Sequence, residues 1–253
     1  MAELDLKSFE RNVRVRTLTT DDYDQVVALQ RKCFPGMKPW TREQFLSQIA
    51  TFPEGQIGVE YNGKLVASSS SLILNFALYG EWHGWREISD AGFITNHDPE
   101  GNTLYGIEIM VDPEYRAMKL ARRLYDARKQ LARERNLMRI VIGGRIPGYA
   151  EHADKMTARE YVQKVMEKVL IDPVLTTQLA NGFVLKRLIP DYLKSDEESR
   201  GYATLLEWTN LDYVPDPKRR FVAVDQVRTC AVQYQMREIP DFAAFGRQCE
   251  YFV

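Results

Sequence analysis

The sequence predicts an α/β (α+β) protein in which helices flank a mixed, twisted sheet, and three observations carry that reading. The first is a strand, turn, helix, strand unit. An apolar run Tyr105-Gly-Ile-Glu-Ile-Met-Val111 enters the polar turn Asp112-Pro-Glu-Tyr-Arg116. A basic segment over residues 117–135 and the apolar run Arg139-Ile-Val-Ile142 follow. The second is Asn62-Gly63 between apolar runs at 56–61 and 64–68, a hairpin signal because both turn residues tolerate positive φ. The third is the recurrence of Leu120, Leu124, Ala127 and Leu131 at helical spacing, which gives the basic segment one apolar side.

Taken in order, residues 13–18 alternate as a strand and 21–33 read as a helix, followed by the hairpin strands. An insertion over 76–102 carries Tyr79, Trp82, His83, Trp85, Phe93, His97 and Asp98, which wall an adjoining cleft or form a small satellite core. After the basic unit come a helix over 156–170 and strands at 182–189 and 202–208. A further strand at 227–235 precedes a helix with Phe242, Phe245, Cys249 and Phe252 on one face.

Composition narrows the function. A chain of 253 residues, 45% of them hydrophobic, buries one core and an appendage. A net charge of −1 argues against nucleic acid as the main partner. The basic helix is then mostly a solvated face at Arg128, Lys129, Arg133 and Arg135. Arg116, Lys119 and Arg122 lie near its start, where unpaired N–H groups favour a phosphate. Cys33, Cys230 and Cys249 have no metal spacing and leave an odd thiol, which fits a reducing cytoplasm. His83, His97 and His152 are scattered, so no metal is expected. Residues 1–12 read as a polar leader without signal-peptide character, and no apolar run reaches membrane-spanning length.

The stretch Val111-Asp-Pro113-Glu-Tyr-Arg116-Ala-Met-Lys119-Leu-Ala121 resembles the coenzyme loop of the GNAT acyl-CoA N-acetyltransferase superfamily, Val-x-Pro-x-x-Arg/Gln-x-x-Gly-x-Gly/Ala. Lys119 stands where the family has its central glycine. It is expected to keep a negative φ and to meet a phosphate with its side chain. The resemblance covers residues 13–210 and implies a GNAT fold whose central parallel strands splay apart. It implies acetyl-CoA as acyl donor. The pyrophosphate would lie on Arg116, Ala117, Met118, Lys119, Leu120, Ala121 and Arg122, with the pantetheine arm on the backbone of Ile109, Met110 and Val111.

Glu108, a lone carboxylate in an apolar strand, is the candidate base; otherwise it pairs structurally with Arg139 or Arg145. A bulge in its strand would bring Tyr105 to the substrate instead. The tyrosine that many GNAT enzymes use as proton donor is replaced here by Thr176-Thr-Gln178, which leaves Tyr149 and Tyr161 as candidate acids. Glu151, His152 and Asp154 are candidate amine contacts on the wall opposite the insertion.

More narrowly, Gly143-Gly-Arg-Ile-Pro-Gly-Tyr149 and Ser199-Arg-Gly-Tyr-Ala203 are similar to GNAT domains fused to carbon-nitrogen hydrolase (nitrilase-like) domains in bacterial proteins. Residues 227–253 then resemble the first strand and helix of a truncated nitrilase-like domain behind a linker at 211–226. The other reading of 221–253 is an ordinary terminal strand and helix packed on the core. A hydrolase needs a Glu, a Lys and a Cys from later in that domain, so the expectation is an acyltransferase and no hydrolase in this chain. Without their native partners, that strand and helix are either loosely ordered or paired with a second copy as a homodimer. Three functions stay open. They are N-acetyl transfer to a small or amino-acid-like primary amine, non-catalytic acyl-CoA sensing for an attached hydrolase, and a ligand-free interaction domain.

Overall fold

The computed structural model describes residues 12–79 and 82–215. The strand and helix expected at 227–253 therefore lie outside the described residues. Among the described residues seven strands form one sheet in the order β1-β2-β3-β4-β5-β7-β6. They are β1 (Val13–Thr17), β2 (Ile57–Tyr61), β3 (Lys64–Leu74), β4 (Thr103–Val111), β5 (Arg139–Arg145), β6 (Val184–Ile189) and β7 (Ala203–Thr209). The β4–β5 pair is parallel and every other pair antiparallel. The mixed α/β sheet expected from the sequence is thus present.

Among the described residues six α-helices accompany the strands. They are α1 (Tyr23–Cys33), α2 (Arg42–Thr51), α3 (Trp85–Ile88), α4 (Leu120–Glu134), α5 (Ala158–Met166) and α6 (Leu175–Ala180). The start of α2 is set by a capping box in which Thr41 Oγ1 accepts from Gln44 N at 3.2 Å and Gln44 Oε1 accepts from Thr41 N at 2.8 Å. Thr157 and Glu160 form the same box at α5, which begins later and ends earlier than the segment expected at 156–170. Strand β3 continues to Leu74 beyond the expected 68, because its Ser68 to Ser71 run is buried inside the sheet and does not form a polar turn.

The amphipathic stripe of α4 holds Leu120, Leu124, Arg128 and Leu131 against the sheet. Arg128 is 1% exposed, so its assignment to the solvated face is corrected. It lies four residues after Leu124 and falls on the inward side of the helix. Leu120 and Leu124 pack with Ile57, Val59, Val66 and Ala67, while Leu131 belongs to the larger cluster with Tyr105, Ile140 and Leu206. No helix among the described residues is long and apolar enough to cross a membrane.

Candidate active site

The site begins where the parallel pair ends. β4 and β5 are in register from Thr103↔Arg139 to Gly106↔Ile142, and beyond these residues they part while each continues. On the other side of β4 the register with β3 shifts between Ser70 and Ser71, opposite Glu108 and Gly106. One extra residue, Ile107, is accommodated there as a bulge. Past the bulge, Asp112 N donates to Val66 O at 2.9 Å. With alternate residues turning to opposite neighbours, Met110 and Asp112 direct their backbone groups to β3, and Ile109 and Val111 direct theirs to the gap. Cys33 Sγ reaches Val111 O from that side at 3.2 Å.

A cavity of about 670 Å³ opens into this gap. Its walls include Phe34, Lys38 and Trp40 from the α1–α2 connection, Trp85, Arg86 and Phe93 from the insertion, Glu108 and Ile109 from β4, Gly143 to Arg145 from β5, and Gln178 and Tyr192. Trp40 and Trp85 stack at 5.6 Å between centroids. At Gly143 a Cβ would stand 2.2 Å from Cζ of Tyr192, so this glycine lets the tyrosine lie against the open part of β5.

Glu108 sits in the wall with its carboxylate held by neutral donors. Gln30 Nε2 donates to Oε2 at 2.6 Å, and Trp40 Nε1 to Oε1 at 3.2 Å. Gln30 Oε1 in turn accepts from Trp40 N at 2.8 Å, which fixes the direction of the amide. Neither arginine named as a structural partner pairs with it. Arg139 bonds Glu207 at 2.9 Å, and Arg145 bonds Asp196 at 2.6 and 2.5 Å. Burial pushes the Glu108 pKa up to about 7, against the two hydrogen bonds and the nearby Arg128 charge, which pull it down. A carboxyl group at that value exchanges protons near neutral pH.

The turn after β4 is a 3-10 segment over Pro113–Met118, and α4 starts at Leu120. Asp112 anchors it by accepting from Glu114 N at 3.1 Å and from Lys32 Nζ at 3.0 Å. Burial would raise the Asp112 pKa, and its lysine and backbone donors hold it below the usual value. The side chains of Arg116 and Lys119 are exposed.

A sequence model described as "Acetyltransferase (GNAT) family" matches residues 23–152, about half of the chain. The chain belongs to the GNAT acetyltransferase family. It is 50% identical over 252 residues to "Probable hydrolase YhcX" of Bacillus subtilis (strain 168), an alignment covering 99% of this chain and 49% of that protein. The chain thus spans about half the length of that relative. It is 38% identical over 213 residues to "Uncharacterized N-acetyltransferase YkwB" of the same organism, covering 83% of this chain and 93% of the relative. Among solved structures it shares the fold of the GphF GNAT-like decarboxylase, whose structure is a complex with isobutyryl-CoA. That match has a TM-score of 0.65 and 23% identity, and covers 78% of this chain and 98% of that one.

Within this GNAT domain the residue in the central glycine's place has the glycine's conformation. Lys119 lies at φ 55°, ψ 27°, the left-handed region, so the expected negative φ is corrected. The turn is kept at a conformational cost and the lysine side chain projects outward. Lys119→Gly is expected to stabilise the fold by about 1 kcal/mol, read as a higher urea midpoint. A midpoint that stays or falls would contradict the left-handed assignment.

The remaining sequence candidates separate. Tyr149 does not line the cavity; it is buried and its hydroxyl donates to Met156 O at 3.3 Å. Tyr161 donates to Asp172 at 2.9 Å, away from the cavity wall. Tyr105 is fully buried, with its hydroxyl 3.0 Å from His83 Nε2 and 2.9 Å from the Tyr192 hydroxyl. Of these tyrosines, none is in the wall, whereas Tyr192 and Tyr125 are. Glu151, His152 and Asp154 are likewise outside it, and the lining beyond β5 comes instead from Val174, Gln178, Tyr192, Leu193 and Ser195. The insertion does both things expected of it. Trp85, Arg86 and Phe93 face the cavity, while His83 and His97 pack, the latter stacking on Phe52 at 4.4 Å.

Sequence reasoning missed Gln30 and Trp40. Their one available signal was polar Gln30 on the apolar side of α1, between Leu29 and Cys33, and it does not reveal a partner 78 residues away.

Proposed function

We propose that this GNAT domain transfers an acetyl group from acetyl-CoA to a primary amine of a small, amino-acid-like acceptor, with Glu108 as the base. The observation that carries the reading is the Glu108 carboxylate, held by Gln30 and Trp40 in the wall of the β4–β5 cavity with a pKa of about 7. Acyl-CoA supplies a thioester with a good leaving thiolate, and the residues here fit its long, phosphate-ended shape. The outward N–H groups of Ile109 and Val111 line the gap for the pantetheine amide and the thioester oxygen. The turn through Arg116, Ala117, Met118, Lys119, Leu120, Ala121 and Arg122 offers backbone N–H groups and positive charge to the pyrophosphate.

In this reading ionised Glu108 takes a proton from the acceptor's ammonium, directly or through one water. The freed amine attacks the thioester carbonyl, the C–S bond breaks, the new amide nitrogen gives its second proton to water, and the thiolate receives a proton. Tyr192 is the hydroxyl we assign to that donation in place of Tyr149, because it lies in the cavity wall and burial raises its pKa, which keeps it protonated. Positioning by the stacked Trp40 and Trp85 supplies much of the remaining rate. Lys38 and Arg86, exposed at the cavity wall, would meet the carboxylate of an amino-acid-like acceptor.

Arg116→Ala is expected to weaken acetyl-CoA binding by about 1 to 3 kcal/mol, measured by calorimetric titration, through loss of charged hydrogen bonds. An unchanged affinity would remove Arg116 from the phosphate site.

A second reading is favoured by one observation, the 50% identical relative that is twice as long and is named a probable hydrolase. Under it the domain binds acyl-CoA without turnover and regulates a carbon-nitrogen hydrolase domain that follows it in a longer protein. Coenzyme binding without amine-dependent thiol release would select this reading.

A further inference from the structure

We propose that Arg128 is a positioning residue that acts through the bulge of β4 to orient Glu108 and to set the charge it carries. This rests on the reading of Glu108 as the base. Arg128 is the largest side chain fully buried in the described structure. Its Nη2 donates to Ser70 O at 2.8 Å and to Glu108 O, the carbonyls that flank the register shift. The carbonyls of two neighbouring strands therefore converge on one guanidinium at the point where regular pairing fails. Removing it would take a donor from both carbonyls at the bulge.

The fit is tight on the opposite side as well. A Cβ on Gly106 would stand 2.7 Å from Nη1 and 3.0 Å from Cζ of Arg128, so glycine there and arginine on α4 are matched. No carboxylate pairs with Arg128 among the described residues, and its Nε has no hydrogen-bond partner. Burial lowers its pKa to about 10, so it remains a cation at neutral pH.

The groups that bear on Glu108 come from every side. They are Gln30 and Cys33 on α1, Trp40 on the following connection, Arg128 and Tyr125 on α4, Lys38 and Arg86 at the cavity wall, and Arg145 and Tyr192 beyond the gap. Arg145 is neutralised by Asp196 and Glu198, and Lys38 and Arg86 are exposed to screening. Arg128 is thus the buried, uncompensated cation of the set, and its field favours the ionised carboxylate.

The test uses the Trp40 indole N–H, which donates to Glu108, as a probe that needs no coenzyme. Its nitrogen and proton shifts are followed against pH in the whole chain, with Trp40→Phe to identify the resonance. Wild type should inflect near pH 7. Arg128→Met should move the inflection upward by about half a unit or more, since a cation that favoured ionisation is gone. Arg128→Lys should return it toward the wild-type value while leaving turnover reduced, because the shorter side chain does not bring its nitrogen to the place where Nη2 meets both carbonyls. Should Arg128→Met fail to fold, Gly106→Ala decides, as it displaces the guanidinium without removing its charge. A shift of half a unit or more supports the proposal, and an inflection that stays at the wild-type pH in folded Arg128→Met or Gly106→Ala overturns it. Absent amine turnover alongside a shifted inflection would defeat the acetyltransferase reading alone.

Discussion

Glu108→Gln is expected to lower kcat/KM for amine acetylation by about 10² to 10⁴, the usual loss when a general base is removed. The wild-type rate should rise with pH through an inflection near 7, matching the raised Glu108 pKa, and level off above it. In Glu108→Gln that ascending limb should vanish, leaving a low rate that follows only the ionisation of the amine itself. The same group has the opposite effect on folding. A carboxyl whose folded pKa is raised from 4.5 to about 7 contributes stability below the unfolded value, and this contribution is lost as pH rises through 7. Glu108→Gln should therefore melt close to wild type at pH 4 to 5 and be more stable above pH 7, by on the order of 2 kcal/mol. A variant that is less stable at pH 8 would mean that the carboxylate is structural. The combination of lost rate and gained stability identifies a residue kept for chemistry.

The second large effect concerns the far wall of the cavity. Asp196 is 1% exposed and receives both Arg145 Nε and Nη2, together with Ser199 N at 3.2 Å. Arg145 also bonds Glu198 at 2.7 Å and lies over the Phe34 ring at 5.5 Å, so the cluster ties β5 to the α1–α2 connection. Asp196→Ala leaves that guanidinium without its main partner and is expected to cost about 3 to 5 kcal/mol, measured by urea denaturation. The pH dependence has its own sign. Burial would raise the Asp196 pKa, and Arg145 and Ser199 more than offset this and hold it below the usual value. The stabilisation is therefore present above the unfolded pKa and is lost as pH falls through the folded one. Wild type and Asp196→Ala should converge in stability under acid. A loss under 1 kcal/mol at pH 7 would show that Glu198 alone neutralises Arg145.

What was readable in the sequence follows the physics of each element. The hairpin and the strand–turn–helix–strand unit were legible because turn chemistry and hydrophobic period are local. Asn62-Gly63 and the Leu120, Leu124, Leu131 stripe needed no knowledge of the rest of the chain. Helix α2 was not read, although the Thr41-x-x-Gln44 capping signal was present, because its apolar residues are sparse. The serines of β3 resembled the end of a strand, yet they are buried. Ser70 finds Gln48 at 2.9 Å and Gln56 at 2.5 Å, partners supplied by distant segments.

At the site, Glu108 was legible as a lone carboxylate in an apolar strand. Its environment was not, since Gln30, Trp40 and Arg128 arrive from three separate parts of the chain. Arg128 was hidden by its charge, which reads as solvated until the spacing from Leu124 is counted. Tyr149 was a candidate because the family's usual donor tyrosine is replaced by Thr176-Thr-Gln178, but the ring packs against Tyr161 at 5.6 Å and Tyr202 at 5.9 Å.

The most direct measurement is mass spectrometry of a panel of amines and amino acids incubated with acetyl-CoA and the purified chain. The account predicts an acceptor heavier by one acetyl group, formed in step with free CoA thiol and lost in Glu108→Gln. A chain that binds acetyl-CoA, as shown by calorimetry on the same sample, yet acetylates no amine in the panel would contradict it and leave the domain as an acyl-CoA sensor.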